Sequence, residues 1–322
     1  MLLFSVAILV GLIILVWSAD RFITGAAALA DNLGVSPMLI GLTVVGLGTS
    51  APEVLVSTMA SMNGNPGLAI GNAIGSNIAN IGLILGFTAL IIPLSVHSSV
   101  LKREYPILLA VTLLCLLLMW DGELNQFDGA VLAITLLGVL GWMIYTAKIG
   151  AADPIAGEFD AEIPHDIPTR KAIILLLLGL AFLLLSSRLL VWGASNVATA
   201  LWVSDVIIGL TIVAIGTSLP ELAASITSAM KGEDDLAIGN VIGSNLYNML
   251  AVLSIPGLLA PGPYAPEVLT RDLPVMLGLT LFLFFMGYGF GKPGRINRLE
   301  GAILLLAFVA YQSFLFFTLV SV

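Results

Sequence analysis

The sequence is short of charge. Only 10% of its 322 residues are Asp, Glu, Lys or Arg, against about 25% in soluble domains. With 59% hydrophobic residues, it carries more apolar surface than a water-soluble fold can hide, since even a large domain leaves a sizeable area exposed. Cysteine is nearly absent. Cys115 stands alone in an apolar run, so no internal disulfide forms, and it reads as a small packing residue. The two histidines, His97 and His165, lie near loops without evident partners. Lacking paired histidines or a thiol cluster, the chain offers nothing that selects zinc or copper. No Lys or Arg precedes Arg21. A signal peptide begins with a basic region, so the apolar stretch from Met1 is expected to be a retained membrane helix. The net charge of −8 comes mostly from loops, and no basic stripe with aromatics points to nucleic acid.

What is present is apolar length and repetition. The runs Ile173–Ser186, Leu273–Phe290 and Gly301–Val320 approach or reach the roughly 20 residues needed to span hydrocarbon. Residues 41–93 begin GLTVVGLGTSAPE and continue to AIGNAIGSNIAN; residues 209–261 begin GLTIVAIGTSLPE and continue to AIGNVIGSNLYN. The two segments align without gaps at an offset of 168, with 25 identities in 53 positions. The register extends upstream, where Gly25, Ala26 and Ser36 match Gly193, Ala194 and Ser204.

Each half reads as five helices. These are about 2–30, 36–63, 66–94, 104–120 and 127–148, then 170–200, 205–230, 234–260, 272–290 and 298–320. Gly- and Pro-rich breaks separate them: Asn32-Leu-Gly, Asn63-Gly-Asn-Pro, Asp121-Gly-Glu, Lys231-Gly-Glu-Asp and Gly291-Lys-Pro-Gly. Because five is odd, the second half must insert upside down. Charge agrees, since Lys and Arg gather on the cytoplasmic side. With the N-terminus outside, that side holds Lys102, Arg103, Lys148, Arg170, Lys171, Lys231, Lys292, Arg295 and Arg298, and the other side only Arg271. The expectation is an all-α integral membrane protein of ten transmembrane helices, in two inverted repeats (1–148 and 170–322) with both termini outside. The segment 149–169, with Asp153, Glu158, Asp160, Glu162 and Asp166, reads as a solvated cytoplasmic linker; it lacks the alternating Asp/Asn pattern and glycine of an EF-hand loop. Inverted repeats are typical of secondary transporters, whose substrate site lies at the midplane where the repeats meet.

Charges inside membrane helices are costly and are functional candidates by default. Glu53 and Glu221 are such charges, at repeat-equivalent positions, each after a proline: Thr49-Ser50-Ala51-Pro52-Glu53 and Thr217-Ser218-Leu219-Pro220-Glu221. A proline inside a helix removes one backbone bond and clashes with the carbonyl four residues back, here those of Gly48 and Gly216. Broken helices at membrane depth are tolerated where they line a cavity or are buried in protein. Thr49 or Ser50 lies three or four residues from Glu53, a spacing that shares a helix face. Ser76 with Asn80, and Ser244 with Asn248, repeat that spacing in the next helices. Carboxylates, hydroxyls, amide oxygens and freed carbonyls suit hard cations such as calcium or sodium. Gly71, Gly75, Gly239 and Gly243 read as close-packing positions, and Asn72 and Asn240 as groups that cap or bond the broken helices. Asp20, Arg21 and Arg188 are not assigned to the site.

GTSAPE with GSNIAN, and GTSLPE with GSNLYN, resemble the paired alpha repeats of the calcium:cation antiporter superfamily. The resemblance covers nearly the whole chain and is nearest to the bacterial and archaeal sodium/calcium exchanger type. It implies four cation subsites in a diamond at the membrane centre, in a prokaryotic plasma membrane. Glu53 and Glu221 would be shared carboxylates, with Thr49 and Thr217 as calcium ligands. Ser50, Ser218, Ser76 and Ser244 would complete outer sodium sites with the carbonyls of Gly46 and Ala214, and Asn80 and Asn248 would line the middle. In one respect the chain departs. Several sodium/calcium exchangers have aspartate where this chain has Asn248; asparagine in both repeats is common among cation/proton exchangers of the superfamily.

Two carboxylates neutralise one calcium ion, or face several sodium ions, or take up protons. Ions competing for the same carboxylates cannot be carried together, and exchange follows. The expected function is calcium/sodium antiport by alternating access. A calcium/proton antiporter and a cation channel are the alternatives. An enzyme is not expected, because two glutamates without a nucleophile or metal–histidine set make no evident catalytic centre. Calcium and sodium are cargo; no cofactor or obligate protein partner is expected.

Overall fold

A computed structural model describes residues 2–35, 40, 46–97, 99–149, 154–288 and 294–320. Ser36, Lys292 and the start of the helix expected over 36–63 lie outside the described residues. The helices are α1 Leu2–Asn32, α2 Gly46–Thr49, α3 Ala51–Met62, α4 Pro66–Ile91, α5 Ser99–Leu118, α6 Gln126–Ile149, α7 Pro154–Glu162, α8 Thr169–Leu201, α9 Asp205–Thr217, α10 Leu219–Lys231, α11 Asp234–Leu259, α12 Val268–Tyr288 and α13 Arg298–Val320. Two short antiparallel ribbons join distant turns: β1 Leu94–Val96 with β4 Gly294–Ile296, and β2 Glu123–Leu124 with β3 Gly262–Pro263. Four of the expected breaks hold a glycine with positive φ, at Gly34, Gly64, Gly122 and Gly232, a conformation costly for residues with a Cβ.

The protein is a multi-pass integral membrane protein. Among the described residues seven helices are long and apolar enough to cross a membrane, and the bent pair α9–α10 brings the number to eight. The remaining expected spans differ for visible reasons. In α5, Lys102, Arg103 and Glu104 interrupt the apolar stretch near its start. For the span that contains α2 and α3, most of 36–45 lies outside the described residues. Burial sorts the spans into layers. In α4 and α11, 78% and 83% of the apolar window is buried, against 28% in α6, α8 and α13. The two helices carrying the GSN motifs therefore form the centre, and the others face lipid.

Helices α1 and α8 pack along their whole length. Gly11 lies against Leu190, Gly25 against Ala172 and Leu176, Gly179 against Phe22, and Gly193 against Phe4 and Ile8. As the number rises on one helix it falls on the other, so these repeat-equivalent helices run antiparallel. Small residues let backbones approach where no hydrophobic force joins helices in lipid.

The linker is more ordered than its composition suggests. It forms α7, and Ile163 is buried with Ala27 and Ile40. Glu158 accepts a hydrogen bond from the Leu236 amide at 2.6 Å, at the start of α11; Glu162 pairs with Lys231 at 2.5 Å; and Asn32 Nδ2 donates to the Ile167 carbonyl at 2.9 Å. Both histidines, expected to lack partners, have them. His165 Nδ1 is 3.0 Å from Asp31 and Nε2 is 3.1 Å from the Asp160 carbonyl. The His97 amide donates to Asp235 at 2.9 Å. These bonds join residues more than 130 positions apart, except that to Asp160, so local sequence carries no sign of them.

Two outcomes follow. A Cβ on Gly25 would lie 2.4 Å from the Leu176 nitrogen, so Gly25→Val should lower stability by about 1–3 kcal/mol, the usual cost of overpacking. Gly138→Val, with nothing within 4 Å, should be near neutral; thermal unfolding in detergent compares them. The second concerns pH. Burial, with help from the nearby Asp235, Glu233 and Asp234, pushes the Glu158 carboxyl up to about 7. Hydrogen bonds to Asp31 and the Asp160 carbonyl raise His165 above its ordinary value. A carboxyl raised on docking loses docking stability as pH rises from its unfolded value toward the folded one. A raised histidine contributes stability below its unfolded value and loses it as pH rises through the folded one. Both signs agree. Protease cleavage within 149–169 should increase from pH 5 to pH 8, and Glu158→Gln should flatten the lower part of that profile; a pH-independent rate would contradict the assignment.

Candidate functional site

Both proline-bearing helices break at the same place. Ser50 separates α2 from α3 with φ −82° and ψ 2°, and Ser218 separates α9 from α10 with φ −83° and ψ 5°. The two segments of the second pair meet at 42°. Neither serine hydroxyl caps the helix that follows. Glu53 and Glu221 lie in the first turns of α3 and α10, where the helix dipole favours negative charge. The carbonyl ends of α2 and α9 face the same region, and that end favours cations. Both glutamates are fully buried.

Asn72 of α4 and Asn240 of α11 knit the breaks together across the repeats. Asn72 Nδ2 donates to the Glu53 carbonyl at 3.2 Å and to Ser57 Oγ at 3.1 Å, while its Oδ1 accepts from Thr217 at 3.2 Å. Asn240 Nδ2 donates to the Glu221 carbonyl at 3.3 Å and to Ser225 Oγ at 3.3 Å, while its Oδ1 accepts from Thr49 at 3.4 Å. The pattern is the same twice over, with the repeats exchanged. Ser244 Oγ donates to Glu221 at 3.1 Å and accepts from Ser50 and from Asn80 Nδ2, both at 3.1 Å. Ser76 and Thr217 hydroxyls lie 3.5 Å apart. The carbonyls of Gly46 and Ala214 accept from Thr49 at 3.1 Å and Thr217 at 3.3 Å. Asn80 and Asn248 each open a π turn, Asn80–Leu85 and Asn248–Val252. The first packs against α10 and the second against α3.

Several oxygens remain without protein donors. Among the described residues these include both carboxylate oxygens of Glu53, one of Glu221, the Ser218 hydroxyl and the side-chain oxygens of Asn80 and Asn248. The Thr217 and Ser218 hydroxyls flank Glu53 without closing a hydrogen bond to it. A buried acceptor left unsatisfied costs about 1–3 kcal/mol, and more when charged. A cluster of them, all hard oxygens, is what a desolvated cation requires.

The sequence reading missed three contributors. Asn245 Oδ1 accepts from Asn80 Nδ2 at 3.0 Å; its signal was the N of GSN in both repeats. Ser57 and Ser225 anchor the two asparagines; their signal was identity at the repeat offset. The third is a pair of side chains on α1. A Cβ on Gly216 would meet Leu12 at 2.2 Å, and one on Gly48 would meet Ile23 at 2.9 Å. The glycines beside the breaks thus seat helix α1 as well as easing the unwinding.

Fold and site together define a multi-pass membrane transport protein with a buried, oxygen-rich centre built twice. A family model described as sodium/calcium exchanger protein matches residues 3–145 and 171–317, and the chain belongs to that family. It is 50% identical to a putative antiporter, CaxA, of Alkalimonas amylolytica, over 98% of this chain and 99% of the relative. It is 32% identical to the sodium/calcium exchanger MaX1 of Methanosarcina acetivorans, over 96% and 97%. A solved structure of the sodium-calcium exchanger NCX_Mj, soaked with sodium and strontium, is 33% identical and superposes with a TM-score of 0.67 over 96% of this chain and 97% of that one.

The geometry yields a direct test. Asn72→Leu or Asn240→Leu removes one amide from three bonds and leaves buried partners unpaired, so each should cost about 1–3 kcal/mol. Ala73→Leu is not a suitable control because Ala73 is itself buried; exposed Leu137→Ala is. Equal unfolding temperatures for the asparagine variants and the parent would refute the tie.

Proposed function

We propose that this protein is a secondary antiporter exchanging calcium for sodium by alternating access, not an enzyme or a channel. One observation carries the reading: two buried glutamates, each at the same break in a duplicated helix, have carboxylate oxygens without donors among the described residues, in a shell of hydroxyls and amides. Two carboxylates balance one calcium ion, and pairing buried charge is what makes it tolerable. Sodium ions taking over the same oxygens would displace calcium, which makes the fluxes obligatory partners. Glu53, Glu221, Thr49 and Thr217 are assigned to calcium. Ser50, Ser218, Ser76 and Ser244 are assigned to sodium with the Gly46 and Ala214 carbonyls, and Asn80 and Asn248 to the middle of the site. Relatives named as sodium/calcium exchangers support the ion pair.

The antiparallel run of α1 and α8 and the crossed Asn72–Thr217 and Asn240–Thr49 bonds support two inverted five-helix halves; the prokaryotic relatives and the uneven distribution of Lys and Arg support a prokaryotic plasma membrane with both termini outside. The close α1–α8 pair, whose α1 is seated on Gly48 and Gly216, is a natural moving unit against the central α4 and α11.

A second reading, calcium/proton exchange, is favoured by neutral asparagine at both positions 80 and 248. Purified protein in vesicles separates the readings. Calcium uptake should require an outward sodium gradient. Uptake driven as well by a pH gradient without sodium would favour proton coupling, and flux with no counter-ion would mean a channel. Glu53→Gln and Glu221→Gln should each abolish calcium transport while leaving a folded protein; robust exchange in both would end the site assignment. Asn248→Asp should alter the sodium dependence.

A further inference from the structure

Helix α9 is irregular upstream of its break. Gly209–Val213 form a π turn, and the Ala214 amide reaches the Gly209 carbonyl. In an α-helix that amide would bond Leu210, four residues back. The Leu210 carbonyl has lost its α-helical partner, in a medium where backbone groups must be satisfied within the protein. A side chain from another helix supplies a donor. Gln312 Nε2, on α13, lies 3.2 Å from the Leu210 oxygen. On the other side Leu210 presses on α4: a Cβ on Gly75 would lie 2.7 Å from Leu210 Cα, and one on Gly71 3.0 Å from Leu210 N. The peptide is held from both sides, by two glycines and one amide.

The π turn matters for what lies beyond it. One extra residue in a turn rotates the following helix by roughly 100°. Ala214, Thr217 and Ser218 all follow within eight residues of Leu210. Their phase decides whether Thr217 reaches Asn72 and whether Thr217 and Ser218 flank Glu53. The first repeat offers no such amide: NQFDGA at 125–130 and NRLEGA at 297–302 align at an offset of 172, which places Leu140 opposite Gln312. Beside the bond an open groove is lined by Ile215, Phe308, Gln312 and Ser313.

We propose that Gln312 is a positioning residue: by holding the Leu210 carbonyl it fixes the π turn of α9, and so sets Thr217 and Ser218 toward Glu53 for cation binding. This rests on the function proposed above. Gln312→Met keeps the length and loses the donor. In vesicles it should raise the KM for calcium roughly five-fold, as loss of one hydrogen bond would, with Vmax little changed. Backbone amide exchange in 209–218 should quicken in the same protein. Leu140→Met, at the matching position of the first repeat, should do neither. Gln312→Asn, one methylene short of the carbonyl, should behave as Gln312→Met if the latter fails to fold. An unchanged KM with unchanged exchange, or a fall in Vmax at constant KM, overturns the proposal. A parent protein that moves no calcium would instead defeat the functional reading, and the amide exchange would still decide whether Gln312 holds the turn.

Discussion

A helix broken at membrane depth leaves peptide and hydroxyl groups that neither lipid nor its own ladder can satisfy. The chain contains two such breaks, and the bonds that answer them organise the centre of the fold. Each of Asn72 and Asn240 bonds three groups on two other helices: a backbone carbonyl of the Glu-bearing helix, that helix's serine one turn on, and the threonine end of the opposite broken helix. Asparagine suits this because a short side chain offers two donors and an acceptor together. The crossed bonds make each repeat complete the other's break. The glutamate main chains are thereby fixed while, among the described residues, their carboxylate oxygens stay uncommitted apart from the Ser244–Glu221 bond.

That arrangement explains the layering. Oxygens must converge in a small space, so α4 and α11 have to approach α3, α9 and α10 closely. Gly71 and Gly75 permit it, with the backbone of residues 206–210 where their side chains would be. The helices that carry the site are consequently the most buried, and the long lipid-facing pair α1–α8 is left to pack through its own glycines. Packing and electrostatics thus draw on the same residues, and few of the small ones near the centre can change without moving an oxygen.

Much of this was legible in the sequence because duplication acts as an internal control. One Glu beside one Pro is ambiguous; the same pair 168 residues later, with threonine, serine and asparagine in register, is not. The breaks at Ser50 and Ser218, the burial of both glutamates and the tying role of Asn72 and Asn240 follow from that. The spans were less legible. Charge near the start of α5 makes it more polar than a membrane helix is expected to be, and the stretch leading into α2 and α3 lies largely outside the described residues. The linker was hidden for another reason. Its composition says solvated, whereas its order comes from Asp31, Lys231 and Leu236, which are remote in sequence. The π turns were invisible for the same cause: Leu210 receives a bond from Gln312, 102 residues away, and no local pattern encodes such a donor.

The symmetry of the sequence is not fully kept in the structure, and the difference bears on mechanism. If the halves were equivalent, Leu12 beside Gly216 would be mirrored by Leu180 beside Gly48. Instead Ile23, on the same helix as Leu12, sits there. Asn80 is bound to Ser244 and Asn245, whereas among the described residues neither polar atom of Asn248 has a partner. A nearly twofold sequence that adopts an asymmetric arrangement has a counterpart with the roles of the halves exchanged, close to it in energy because most contacts are reproduced. Under the function proposed above, those two arrangements are the ones that face opposite sides of the membrane. Features confined to one half, such as Gln312 opposite Leu140, then break the tie between them, and that bias is a property a perfectly repeated chain would lack.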